Sequence, residues 1–91
     1  MTIARIVNRH VDREMYEAIN TRVDIDRQHP LGLIMHAAAE VDGTMRVGQI
    51  WESEEYARRF DEEVLKPALE ATGAPLHADA TILELHHLVT P

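Results

Sequence analysis

The sequence contains no cysteine, few aromatic residues and no long apolar run. Without cysteine, the chain forms neither a disulfide bond nor a thiolate metal site. No apolar stretch approaches the ~20 residues that a membrane-spanning helix needs, and the first ten residues, MTIARIVNRH, lack the apolar segment of a signal peptide. These absences predict a cytoplasmic protein.

Basic residues are also scarce, because 9 lysine and arginine residues face 16 acidic ones and give a net charge of -7. Such a surface repels phosphate backbones, and no basic patch with interleaved aromatic residues offsets it. Nucleic-acid and membrane partners are therefore not expected. A chain of 91 residues predicts a single domain, 1–91, with a small core. We expect oligomerisation to supply stability that such a core lacks.

The first part of the chain has the pattern of a strand followed by a helix. Residues 2–8, TIARIVN, are rich in β-branched side chains and predict a first strand. Apolar residues then recur four positions apart, beginning with Met15, and Asp12 offers an N-cap. This spacing predicts a first helix over about 12–25.

The middle of the chain has the pattern of a β-hairpin. Residues 33–41 form an apolar run that periodicity alone does not classify, and residues 44–51 alternate in polarity. Between them lies Asp42-Gly43, a pair typical of a type I′ turn, because that turn needs positive φ at both central positions. The sequence therefore predicts strands two and three of a hairpin.

The last third predicts a second helix and a fourth strand. Ser53 offers an N-cap, and acidic residues in the following turn suit the helix dipole. Pro67 is expected to kink or end this helix, leaving a last turn before Gly73. Residues 80–89, ATILELHHLV, predict strand four.

The resulting order, β-α-β-β-α-β, predicts a ferredoxin-like α+β fold with a four-stranded antiparallel sheet and both helices on one side. Strands two and four carry apolar residues on both sides, so the side without helices also needs to be covered. A second copy of the chain, related by a two-fold axis, would cover it. The pattern therefore predicts a homodimer joined sheet to sheet.

The junction of the third strand and the second helix resembles a known superfamily. Trp51 ends the strand, IWESEE has the form W-x-S-x-E, and the following helix contains a phenylalanine and the segment LKPAL. Together with the hairpin, these features resemble the dimeric α/β-barrel superfamily, and most of all small proteins related to antibiotic biosynthesis monooxygenases. The resemblance spans nearly the whole chain. It implies a dimeric α/β barrel, in a superfamily that includes cofactor-independent oxygenases, haem-degrading enzymes, isomerases, dehydratases and proteins without known activity.

The resemblance also implies a reactive pocket between sheet and helices. Asn8 and Trp51 match positions where the oxygenase and haem-degrading branches keep an asparagine and a tryptophan, so both are candidate catalytic residues. The haem-degrading branch adds a histidine on the second helix, but this sequence has none between Met45 and Leu76. We therefore expect no haem, and because the sequence has no glycine-rich phosphate loop, we expect no other cofactor. Without a pocket, Trp51 would fill the core and Asn8 would cap a turn.

His36 interrupts the apolar second strand and is the third candidate catalytic residue. Burial would lower its pKa and make it a neutral base near pH 7, paired with Gln49 or His87 across the sheet. Tyr16 and Phe60, on the two helices, are predicted to contact a substrate together with Gln49 and His87. The alternative is a core or dimer-interface histidine, and the sequence leaves its side of the sheet open.

No metal site is expected, because His86 and His87 are neighbours on the predicted strand and would point to opposite sides. Two classes of function remain. The first is a cofactor-independent, monooxygenase-like enzyme or isomerase that acts on an aromatic or polyketide-like small molecule. The second is a dimer that binds a small apolar or aromatic ligand without catalysis, or one that is purely structural.

Overall fold

The computed structural model describes residues 1–90, which form one four-stranded sheet with the helices packed on one side. The strands lie in the order β2-β3-β1-β4, and each neighbouring pair is antiparallel. This order confirms the predicted ferredoxin-like fold. The elements are β1 (Ile3–Asn8), α1 (Arg13–Val23), α2 (Ile25–Gln28), β2 (Leu33–Val41), β3 (Thr44–Trp51), α3 (Glu54–Phe60), a π-helical segment (Asp61–Leu65), α4 (Lys66–Thr72) and β4 (Asp79–Glu84).

Strands β2 and β3 form the predicted hairpin with the predicted boundaries. Asp42 and Gly43 have φ angles of 51° and 81°, in the left-handed region that a type I′ turn requires. Val41 and Thr44 are paired directly across the turn. The turn therefore fixes the register of the whole hairpin.

Side-chain caps begin both main helices. The Asp12 carboxylate accepts a hydrogen bond from the Met15 N–H at 2.8 Å. The Ser53 hydroxyl oxygen accepts one from the Tyr56 N–H at 3.4 Å. Each bond satisfies a backbone donor that the first helical turn leaves free, so both predicted caps are confirmed.

The predicted first helix is divided into two. Helix α1 ends at Val23, because Asp24 adopts a left-handed conformation with φ of 53° and donates its N–H to the Asn20 carbonyl. Helix α2 is a separate turn of 4 residues that follows directly. The division lies within the range predicted as one helix.

The second helix continues past the proline instead of breaking there. A proline ring crowds the carbonyl four residues earlier and has no N–H to donate. The π-helical segment immediately before Pro67 widens the helix, and the Lys66 N–H donates to the Asp61 carbonyl five residues back. Helix α4 then ends at its C-cap Gly73, which has a φ of 75°. No helix within residues 1–90 has the length and apolar character needed to cross a membrane.

Strand β4 ends five residues earlier than predicted, at Glu84. Its partner β1 begins at Ile3, which lies opposite Glu84. The Leu85 N–H makes one further bond to the Thr2 carbonyl at 3.0 Å. Within the described residues, no strand lies beside the chain beyond that point, so His87 is outside the sheet.

The two sides of the sheet differ in what covers them. The inner face packs against the helices and buries Ile3, Val7, Met45 and Trp51 in the core. Among residues 1–90, no helix lies against the outer face. It carries the aliphatic side chains Ile6, Met35 and Leu83, which are 53%, 50% and 49% exposed. The predicted apolar character of both faces is confirmed, whereas a second copy on the outer face stays a prediction.

Candidate functional site

A cavity of about 60 Å³ lies between the inner face and the helices. Its walls are mostly aliphatic, with polar side chains reaching it from the sheet and from α1. A volume of this size holds a few water molecules, since one water needs roughly 10–15 Å³. The polar lining residues are Arg5, Arg9, Tyr16, Asn20, His36 and Gln49.

His36 lines this cavity from β2 and has a partner at each ring nitrogen. Its Nε2 lies 2.9 Å from the Tyr16 hydroxyl oxygen, and its Nδ1 lies 3.0 Å from Gln49 Nε2. The register of β2 and β3 places His36 directly opposite Gln49. His36 therefore lies on the inner face, which the sequence left open, and its partner across the sheet is Gln49.

The side-chain amide of Gln49 has a fixed orientation. Its oxygen accepts hydrogen bonds from Arg5 Nε at 2.9 Å and from the Trp51 indole N–H at 3.0 Å. Both groups can only donate, so a turned amide would place its own NH₂ against two donors. The NH₂ group consequently points at His36, and because NH₂ only donates, Nδ1 of His36 is an acceptor.

This orientation decides where the His36 proton lies. A neutral imidazole carries one N–H, and with Nδ1 accepting, that proton is on Nε2 and is donated to the Tyr16 oxygen. Burial lowers the pKa of His36, and Asp26 partly opposes the effect. Burial, followed by the charges of Glu17 and Asp26, raises the pKa of Tyr16. At neutral pH, Tyr16 thus keeps its hydroxyl hydrogen, which His36 does not accept.

Two charged residues extend these hydrogen bonds into the helices. The Arg5 guanidinium donates to both carboxylate oxygens of Asp61, at 2.6 and 2.7 Å. It also lies 5.6 Å from the Trp51 ring centroid, within the range of a cation–π contact. Asp61, Arg5, Gln49, His36 and Tyr16 therefore form one connected chain, which we call the polar network.

The structure places the two residues implied by the superfamily resemblance away from the cavity. Trp51 is 0% exposed, does not line the cavity, and packs on Phe60 with ring centroids 5.3 Å apart. It fills the core rather than forming a pocket wall. Asn8 follows the inward-facing Val7 and so lies on the outer face, where its side-chain oxygen accepts the His10 N–H at 3.0 Å. It caps a turn there, so the predicted pocket position is wrong for both.

Of the remaining candidates, four lie together and one does not. Tyr16, His36, Gln49 and Phe60 all line the cavity. His87 lies beyond the end of β4, does not line the cavity and makes no hydrogen bond to His36. The predicted contribution of His87 to the pocket is therefore wrong, because it required a strand that continues to residue 89.

Sequence reasoning missed Arg5, Arg9 and Asp61 as site residues. A signal for the two arginines existed, because Arg5 and Arg9 share the inward alternation of Ile3 and Val7. Nothing local indicated that Asp61 would meet Arg5. Among the described residues, no group of three or more histidine, aspartate or glutamate side chains is placed to hold a metal ion.

Comparisons with known proteins give matches among solved structures only. No protein-family model and no curated protein matches the sequence. The NE2512 protein of unknown function from Nitrosomonas europaea is 13% identical over 99% of this chain and 94% of that one, with a TM-score of 0.75. A Caulobacter crescentus protein assigned to the antibiotic biosynthesis monooxygenases is 13% identical over 94% and 91%, with a TM-score of 0.69.

A third solved structure belongs to a protein of stated activity. SnoaB, a cofactor-independent oxygenase from Streptomyces nogalater, is 14% identical over 99% of this chain and 96% of that one, with a TM-score of 0.64. At such identities the similarity is one of fold. The chain has the ferredoxin-like fold of the antibiotic biosynthesis monooxygenase-like proteins.

Proposed function

We propose that this protein is a cofactor-independent, monooxygenase-like enzyme that binds a small aromatic or polyketide-like phenol in the cavity and stabilises its anion. The observation that carries the proposal is the fixed proton arrangement of the polar network. It leaves the Tyr16 hydroxyl as a hydrogen-bond donor beside a cavity whose walls are mostly aliphatic. A donor that is aimed in advance at a developing oxyanion is an effective catalytic device.

Tyr16 is the catalytic group in this proposal, and His36 positions it. Both nitrogens of His36 are engaged, so the imidazole has no free lone pair for a substrate proton. The role of general base that the sequence suggested for His36 is therefore replaced by that of a donor to Tyr16. Within residues 1–90, the Tyr16 hydroxyl has no hydrogen-bond partner besides His36, which leaves its hydrogen for a ligand.

The reaction we propose needs dioxygen and no other reagent. A phenol conjugated to an activated CH₂ group gives its proton to solvent water. The resulting anion adds dioxygen at that carbon and takes up a proton from solvent to give a hydroperoxide. The O–O bond then breaks, the CH₂ carbon becomes a carbonyl, and the second oxygen atom leaves as water with the two hydrogens. The CH₂ carbon supplies all four electrons that reduce dioxygen to the carbonyl oxygen and water, so the step is balanced without a cofactor.

The size of the cavity favours a second candidate, a dimer without catalytic activity. An engineered cavity of about 150 Å³ is known to hold benzene, which is more than twice the volume found here. A ring would enter only if the walls move apart. If they do not, the polar network satisfies buried groups and has no further role.

The same proposal includes a homodimer and a cytoplasmic location. Ile6, Met35 and Leu83 supply an exposed aliphatic surface on the outer face, and an isolated chain of this size leaves such surface in contact with water. A second copy placed face to face across a two-fold axis would bury both surfaces. The partner of this chain is then a second copy of the same chain.

Oxygen consumption with a hydroxyanthrone tests the enzymatic proposal, since this compound has both the acidic phenol and the activated CH₂ group. Loss of one oxyanion donor typically lowers kcat by about 10²-fold, and we expect that loss for Tyr16→Phe with little change in Tm. Tyr56→Phe is the matched control, because Tyr56 does not line the cavity. Conversion by the wild type no faster than in buffer would rule out the enzyme and favour the second candidate. Equal rates for both variants would remove Tyr16 from the proposal.

A further inference from the structure

Arg9 lies between the cavity and the protein surface. It follows β1 directly, and with Arg5 and Val7 it lines the cavity from alternate positions of the chain. It also lines a surface groove of about 370 Å³. Leu65 is the other residue that both spaces share. These two side chains therefore separate the small cavity from a groove several times larger.

The charge of Arg9 has no counter-ion in the described part of the chain. Arg5 occupies both oxygens of Asp61, and no carboxylate within residues 1–90 lies within 4.0 Å of an Arg9 nitrogen. Burial lowers the pKa of Arg9, Asp61 opposes this effect, and Arg5 adds to it. A half-buried cation without a partner is unfavourable, and an anionic group beside it would recover that free energy.

The groove itself has a small excess of positive charge. With Asp61 bound by Arg5, the charged groups left in the groove are Arg9, Lys66 and the carboxylate of Glu62. This excess is local, because the whole chain carries a net charge of -7. The charges in this groove would therefore attract an anion toward Arg9.

We infer that Arg9 is a specificity-determining residue that binds the carboxylate of an aromatic acid at the entrance of the cavity. A planar guanidinium suits a carboxylate because it offers two parallel N–H donors. The cavity behind it has aliphatic walls that include Ile19, Val23 and Ile25, and these would pack on a ring once they move apart to admit it. The inference rests on the proposed function in placing the ring in the same cavity, and it adds that the phenol bears an acid group directed to the groove.

The probes for a test are 4-hydroxybenzoate and 4-hydroxybenzamide, which differ in charge and hardly in shape. Binding is measured by titration in two-dimensional ¹H–¹⁵N NMR spectra, followed at cavity residues and at the indole N–H of Trp51. For the wild type we expect the acid to bind about tenfold more tightly than the amide, as one charge-assisted contact is worth about 1.4 kcal/mol or more. Added salt should weaken binding of the acid and leave the amide unaffected.

Three variants separate Arg9 from general charge effects. Arg9→Gln should abolish the preference for the acid over the amide, because it should weaken binding of the acid only. Arg9→Lys should retain part of this preference. Arg22→Gln removes the same charge from an exposed position of α1 and should behave as the wild type. Thermal melts check that each variant is folded, and the salt dependence of the wild type still tests the inference if Arg9→Gln is not.

The outcomes distinguish this inference from the proposed function. Equal affinity for both probes in the wild type, or a preference that survives in Arg9→Gln, would overturn the role of Arg9. The cavity and the Tyr16 chemistry would be unaffected by that result. An absence of saturable shifts at cavity residues with either probe would overturn the ligand site, and with it both proposals. Selective binding of the acid without turnover of the hydroxyanthrone would leave the inference standing alone.

Discussion

The inner face of the sheet buries polar side-chain atoms that all have hydrogen-bond partners, whereas the outer face carries aliphatic side chains that stay about half exposed to water. Within residues 1–90, no buried side-chain nitrogen or oxygen lacks a hydrogen-bond partner. On the other side, Ile6 and Leu83 are about half exposed. Buried polar groups with complete partners indicate a fixed arrangement, and an exposed aliphatic surface is typical of an interaction site. The two faces of the sheet therefore differ in burial: the inner face forms part of the core, and the outer face remains open to water.

The largest effect expected from a single change is on the inner face. Trp51→Ala should reduce the free energy of unfolding by about 4 kcal/mol, because it opens a cavity and leaves the Gln49 oxygen with one donor fewer. Urea denaturation at low protein concentration measures this change. Leu83→Ala is the matched change on the outer face and should cost far less under the same conditions. Similar losses for the two variants would contradict the difference between the faces.

A smaller effect is expected from pH, again through the inner face. Burial lowers the pKa of His36, so the unfolded chain takes up the proton more readily than the folded protein does. Neutral His36 thus contributes stability that is complete above its ordinary value of 6.5 and is lost as the pH falls through the lowered pKa. Denaturation of the wild type and of His36→Gln, above and below that pH, should show a steeper decline for the wild type. Parallel declines would mean that His36 is not held neutral by burial.

A charge on the outer face is expected to have the smallest effect on the stability of the monomer. The same change should prevent assembly into a dimer. Ile6→Asp places a charge where a second sheet would pack, but water already reaches that position. In the monomer we expect a change within ~0.5 kcal/mol, as for other exposed sites. Light scattering should show the wild type at twice the mass of the variant. A wild type of monomer mass at every concentration would contradict the dimer and leave the outer face unexplained.

Most of the fold could be predicted from local signals. The Asp42-Gly43 turn, the two capping residues and the alternation of strands each depend on neighbouring residues, and each is found in the structure. Two boundaries depended on distant parts of the chain instead. The end of β4 is set by where β1 begins, and the π-helical segment compensates for a proline that follows it.

The candidate site could be predicted only in part, because a hydrogen-bond network depends on which side chains meet. The sequence named Gln49 and His87 as partners for His36, and the hairpin register in the structure selects Gln49. The bond of Arg5 to Asp61 joins residues 56 positions apart and had no local signal. Asn8 was placed by resemblance in a pocket that the alternation of β1 assigns to the other side. For Asn8, the alternation of side chains along β1 predicts the correct side of the sheet, and the resemblance does not.

The π-helical segment also has a consequence for insertions and deletions. A π turn contains one residue more than an α-helical turn, so Asp61–Leu65 holds an extra residue relative to a continuous α-helix. Removing one residue there would restore α-helical spacing and rotate everything that follows by about 100°. Ala68 and Leu69, now buried against the core, would turn toward water. The length of this short segment therefore sets the phase of α4, and a change of one residue in length would disturb the fold more than most changes of residue type.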